Sequence, residues 1–204
     1  MLRNLFSFVL AGGLVLSLGA AAAPKDITAA PNGAYTLDTA HSQILFAISH
    51  LDLTEYHGRF DKASGTLNLD ANEPEKSATR VSIDMNSLDT PSAELNDILK
   101  GSSVFAANEF PAATFKSTSI IRTGADTGRI TGDLTIKNVT KPVTLDVVFN
   151  GVKPDPVKGG SALGFSAHAT IKRSDFGLTG TIWSSFVGDD VKLEIEALFE
   201  QEKE

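Results

Sequence analysis

Apolar residues recur at every second position in one short run after another along this chain. Ile44, Phe46 and Ile48 alternate with Leu45, Ala47 and Ser49, and His41 and His50 bracket the run. Leu67 and Leu69 repeat the pattern, then Val81, Ile83 and Met85. Further on come Ile130, Leu134 and Ile136, then Val143, Leu145, Val147 and Phe149. Leu163, Phe165, Ala167, Ala169 and Ile171 follow, and Val191, Leu193, Ile195, Ala197 and Phe199 close the series. A period of two places alternate side chains on opposite faces of a strand, so each run predicts a half-buried strand. Parity puts each apolar set on one face and does not by itself assign that face to an interior.

Turn residues separate the runs. Turns are expected at Asp61–Gly65, Asn72–Pro74, Thr123–Gly128, Asn138–Pro142, Gly151–Gly160 and Gly177–Gly180. One segment has helical spacing instead. Leu95, Ile98 and Leu99 form a stripe, with Thr90 as the expected N-cap, Pro91 in the first turn and Gly101 at the end. About eight strands in meander order with one short helix near 91–100 predict an all-β fold, an antiparallel up-and-down barrel. A β-sandwich is the competing architecture. Eight strands enclose room for packed side chains or for one elongated ligand.

The N-terminus carries Arg3, an apolar run from Leu5 to Leu18 and small residues from Gly19 to Ala23. That is the layout of a secretory signal peptide. The expected organisation is therefore a signal peptide over 1–22, a flexible leader over 23–33 and one barrel domain over 34–200. The expected location is the periplasm. With no cysteine in 204 residues, disulfides, thiolate metal sites and a thiol nucleophile are ruled out. Losing Arg3 leaves 17 basic against 25 acidic side chains, a net charge of −8 where the full chain has −7. No basic cluster is present, so nucleic acid is a poor partner.

Catalytic signatures are sparse. No nucleophile elbow, phosphate-binding loop or dinucleotide fingerprint occurs. The histidines at 41, 50, 57 and 168 lack the close spacing of metal ligands. Arg173 to Gly177 makes a polar-then-aromatic turn, which serves either as a charged group at a pocket mouth or as an ordinary surface turn. Trp183 and Phe186 are large apolar residues among polar neighbours. An apolar-lined barrel without catalytic groups is more naturally a carrier than an enzyme, and no cofactor is implied. Two other classes compete: an enzyme or metal protein using His41, His50 and Arg173, and a structural protein that needs no ligand.

Several short stretches, in order, resemble one known family. They are Tyr35 to Ser42 with Phe46 and His50, then Gly58-Arg59-Phe60, then Phe105 with Phe110 to Phe115. Gly132 to Ile136, Val139 to Val143, Arg173 to Gly177 and Val187 to Val191 complete the set. Together they resemble the YceI-like proteins, periplasmic polyisoprenoid-binding barrels with a lipocalin-like fold. The resemblance implies an extended eight-stranded antiparallel barrel. It implies an amphipathic isoprenoid inside, a prenyl quinone or its precursor or a prenyl phosphate, and no catalysis. The expected lipid-binding residues are Ile44, Phe46, Ile48, Ile83, Met85, Leu134, Ile136, Leu145, Val147, Phe165, Trp183, Leu193 and Ile195. His41, His50 and Arg173 are the expected head-group residues, since each adjoins a strand end. Expected partners are the lipid and, transiently, a membrane, with homodimerisation left open. The chain departs from the family pattern in the helix, where Leu95, Asn96 and Ile98 replace Arg, Asp and His. That change favours a neutral head over a diphosphate.

Overall fold

The structure is a computed structural model that describes residues 25–179 and 185–202. Strands β1 (Gly33–Leu37) and β2 (Gln43–His50) both run antiparallel to β11 (Val187–Gln201). They are two halves of one track, broken where Asp38 accepts from Ala40 N–H (2.8 Å) and from the His41 ring (2.7 Å). In the same way β3 (Thr54–Phe60) and β4 (Ala63–Leu69) form a second broken track. A third is made by β5 (Ala78–Asp84) and β6 (Leu88–Asp89). The sheet continues through β7 (Ala112–Arg122), β8 (Thr127–Ile136), β9 (Val139–Pro154) and β10 (Ser161–Lys172) to β11. The β1–β11 pairing closes it. The result is the expected eight-track antiparallel barrel in meander order, and closure removes the exposed edges an open sheet would present.

Helix α1 (Ala93–Lys100) and the loop after it cover one end. Its N-cap is Ser92, whose Oγ accepts from Leu95 N–H, and not Thr90 as expected. The buried Thr90 hydroxyl bonds Asn96 Oδ1 at 2.7 Å instead, because Asn96 reaches back across the first turn. Gly101 ends the helix as expected.

The opposite end is packed shut. Tyr35, Leu37, Leu67, Leu69, Phe149, Leu163 and Phe199 form a buried cluster there, and Ile27 and Ala30 complete it. The described part of the stretch expected to be a flexible leader, residues 25–33, is thus tied down. Asp26 pairs with Arg122 at 2.8 Å, Tyr35 donates to Pro31 carbonyl at 2.7 Å, and Asn32 accepts from Ala71 N–H at 2.7 Å. Burying Ile27 offsets the entropy of ordering the short segment.

A further correction concerns Asn138–Pro142. The turn is confined to Lys137 and Asn138, and Lys137 has a positive φ of 56°. Pro142 lies within β9, beyond the last β9–β10 pair at Asp146 and His168. There β9 has a neighbour on one side only, the setting in which a strand tolerates proline.

Candidate functional site

Inside the barrel, above the packed end, is a cavity of about 630 Å³. Parity positions its walls. Ile44, Phe46 and Ile48 of β2 face it, with Ile83 and Met85 from the third track and Leu134 and Ile136 from β8. Leu145 and Val147 of β9, Phe165 of β10 and Leu193 and Ile195 of β11 also line it. The expected face is the inner face for all of these. Trp183 lies outside the described residues.

Two aromatic groups shape the space. Phe46 tilts against Phe60 at 5.8 Å, and Phe60 meets Phe105 edge-on at 6.4 Å, forming a wall under the helix loop. At the packed end Phe165 contacts Phe149 at 5.3 Å and Phe199 at 6.1 Å, forming a floor. Helical spacing brings Leu95, Ile98 and Leu99 onto the cavity as well. Leu95 and Ile98, the positions where the family pattern has Arg and His, are therefore part of the apolar lining.

The three expected head-group residues separate. His50 lines the cavity at the β2–β3 turn. His41 does not: its ring is 72% exposed and bonded to Asp38, because the Asp38 turn carries it to the outer surface. Arg173 lines the mouth, but its guanidinium is occupied. Nε donates to Gly188 carbonyl at 2.9 Å, Nη1 to Leu178 carbonyl at 2.7 Å and Nη2 to Val187 carbonyl at 3.3 Å. It acts as a clamp joining the β10–β11 connection to the start of β11. Next to it Asp189 accepts from both Ser174 N–H (3.0 Å) and Ser174 Oγ–H (2.7 Å). Those bonds hold the Asp189 carboxyl below its ordinary value.

Other polar lining groups are also satisfied by the protein. Thr79 donates to Thr66 carbonyl, Ser42 accepts from Leu198 N–H and Glu196 accepts from Ser166. Among the described residues none bonds the side chains of His50, Tyr56 or Glu94, all of which line the cavity near its helix-covered end. Tyr56 and Glu94 were missed by sequence reasoning. Tyr56 is paired with Ile48 across the ladder, and Glu94 precedes Ile98 by one helical turn, so period alone could have found both. Leu51, Leu53 and Phe186 form an exposed apolar lip beside this opening, with Leu51 N–H donating to Phe186 carbonyl at 2.8 Å. Among the described residues no cluster of three His, Asp or Glu side chains could hold a metal ion.

Comparison with known proteins gives a consistent result. A UPF0312 protein of Vibrio parahaemolyticus is 35% identical over 200 residues, covering 97% of this chain and 99% of that one. The crystal structure of Burkholderia cenocepacia BcnA superposes with a TM-score of 0.70 at 27% identity, covering 79% of this chain and 98% of that one. A polyisoprenoid binding domain from Saccharophagus degradans, implicated in plant cell wall breakdown, shares the fold. Its TM-score is 0.60 at 18% identity, with 82% of this chain and 98% of that one covered. The YceI-like domain signature matches residues 35–199, and this chain belongs to that family.

Proposed function

We propose that the protein binds a polyisoprenoid lipid with a neutral head group and acts as a carrier, without catalysis. The observation that carries this is the cavity itself. It is walled by apolar side chains from every track of the barrel and floored by aromatic rings. A space of this size and lining suits an apolar chain, whose burial gains free energy in proportion to the area removed from water. At the level of fold, the Saccharophagus domain described as polyisoprenoid binding supports the same ligand class.

The polar head stays near the opening, since burying it unpaired is costly. His50 and Tyr56 offer hydrogen bonds to a quinone or phenol oxygen. A diphosphate is disfavoured there: Arg173 spends its donors on carbonyls, Glu94 is acidic, and Leu95 and Ile98 supply no charge. The apolar lip of Leu51, Leu53 and Phe186 suits transient contact with the membrane from which such a lipid is drawn. Export to the periplasm rests on the Arg3 to Ala23 signal pattern, and intact-mass measurement should find a new N-terminus near Ala23 or Pro24.

Native mass spectrometry of protein purified from its own host tests the ligand class directly and should show a bound isoprenoid mass. Titration with a prenyl quinone and a prenyl diphosphate of equal tail length tests the head. Tighter diphosphate binding that is lost at high salt would refute the neutral-head assignment.

A further inference from the structure

We propose that Phe165 is the gauge that sets the longest tail this protein accepts, with a small apolar pocket behind it that the native side chain helps to divide from the main cavity. The proposal rests on the assignment of the cavity to an isoprenoid tail and adds the residue that limits that tail's length.

A second apolar space, about 80 Å³, lies beyond the cavity floor. Phe165, Leu67, Ile130 and Val147 line both spaces, so a single layer of side chains divides them. Within that layer Phe165 has the largest side chain. Its ring is braced by Phe149 on one side and Phe199 on the other, at 49° and 82°.

Parity along β10 points this ring inward, and the partner strand is irregular beside it. The β9–β10 register runs Gly164 against Gly151 and then Phe165 against Phe149, so Asn150 is an extra residue on β9. Gly151 has a φ of 126°, a conformation side chains avoid, and Asn150 bonds Ser166 at 2.7 Å. A bulge of this kind bends the strand pair at the place where Phe149 and Phe165 face each other.

The outer side of this pocket is made by the β7–β8 hairpin together with Ile27 of the N-terminal segment. Ile27 lines it, held by its N–H to Ala125 carbonyl (3.4 Å) and by the Asp26–Arg122 pair. The space is partly open to the surface, since the exposed Ile121 also lines it, and its lining is left short of packing partners. A close-packed floor would have filled it. Instead the apolar lining passes from the larger cavity into this space across the layer of Leu67, Ile130, Val147 and Phe165.

The test is a ladder of prenyl alcohols from farnesol through geranylgeraniol to solanesol, titrated by calorimetry into the full chain. Wild-type affinity should rise by roughly tenfold or more per added isoprene unit until the tail reaches the floor, and then stop rising. In Phe165→Ala the break should move at least one unit longer. Phe46→Ala, near the opposite end, should weaken binding at all lengths and leave the break in place. Should Phe165→Ala not fold, Phe165→Leu is expected to shift the break in the same direction by a smaller step. A break that neither Phe165 variant moves, or affinity that climbs without a break, overturns the gauge and leaves the cavity assignment standing. Failure of every alcohol to bind correctly folded protein overturns both.

Discussion

Phe46 lies against Gly58 across the β2–β3 ladder, and its ring occupies the space a Cβ at Gly58 would need. A Cβ built there would sit 2.3 Å from Phe46 Cζ. The glycine lets the ring lie along the barrel wall and tilt against Phe60 instead of standing across the cavity. Gly58→Ala should therefore destabilise the fold by about 1–3 kcal/mol through overpacking. It should also cut ligand capacity, because a ring pushed off Gly58 takes up space in the cavity it lines. Phe46→Leu should restore much of the stability in the Gly58→Ala background. Denaturant midpoints of the two single variants and the double variant give the coupling, expected to exceed about 1 kcal/mol.

The inner face was legible because strand geometry is strict. A one-residue shift would turn Ile44, Phe46 and Ile48 outward together, so parity carries the whole set. What was not legible depends on partners far along the chain. Arg173 looks like a pocket charge until Gly188 and Val187 supply carbonyls to it. Ile27 looks like part of a loose leader until the β7–β8 turn brings Ala125 alongside. His41 adjoins a strand end, as expected, but the local bond to Asp38 decides which way it faces. Leu95 and Ile98 were placed on one helical face, yet only the docking of α1 over the opening turns that face into cavity wall.

If Arg173 is a clamp, its removal is a stability defect before it is a binding defect. Arg173→Ala deletes bonds from a charged donor to carbonyls at a half-buried site. The expected loss is roughly 2–3 kcal/mol. Arg173→Lys keeps the charge but not the planar fork, and should recover only part of it. In both variants the ratio of quinone to diphosphate affinity should stay as in wild type. A large change in that ratio would return Arg173 to the head-group site.

The Asp189–Ser174 bonds make the same connection sensitive to acid. The side-chain and then the backbone bond from Ser174 lower the Asp189 pKa. A depressed carboxyl contributes stability that is fully present above its unfolded value, near pH 4, and is lost as pH falls through the lower folded value. Thermal unfolding followed from neutral pH down to about pH 2 should show wild type above Asp189→Asn at the upper end. The two curves should converge as the carboxyl protonates. Parallel curves throughout would mean that the Ser174 bonds add nothing through charge.

Restoring the family's polar residues in α1 should change head-group preference. Leu95 and Ile98 line the cavity, so Leu95→Arg with Ile98→His places positive charge beside the opening that also holds His50 and Tyr56. The arginine's planar fork can bond phosphate oxygens in pairs, which a quinone oxygen cannot match. Prenyl diphosphate affinity should rise by roughly tenfold or more, while prenyl quinone affinity falls or stays level. The gain should shrink as salt is raised, since the site opens to solvent. Glu94 opposes it from the first turn of the same helix, so adding Glu94→Gln should enlarge the effect. A helix variant that folds, binds the quinone and shows no gain for the diphosphate would mean that the head group lies away from α1.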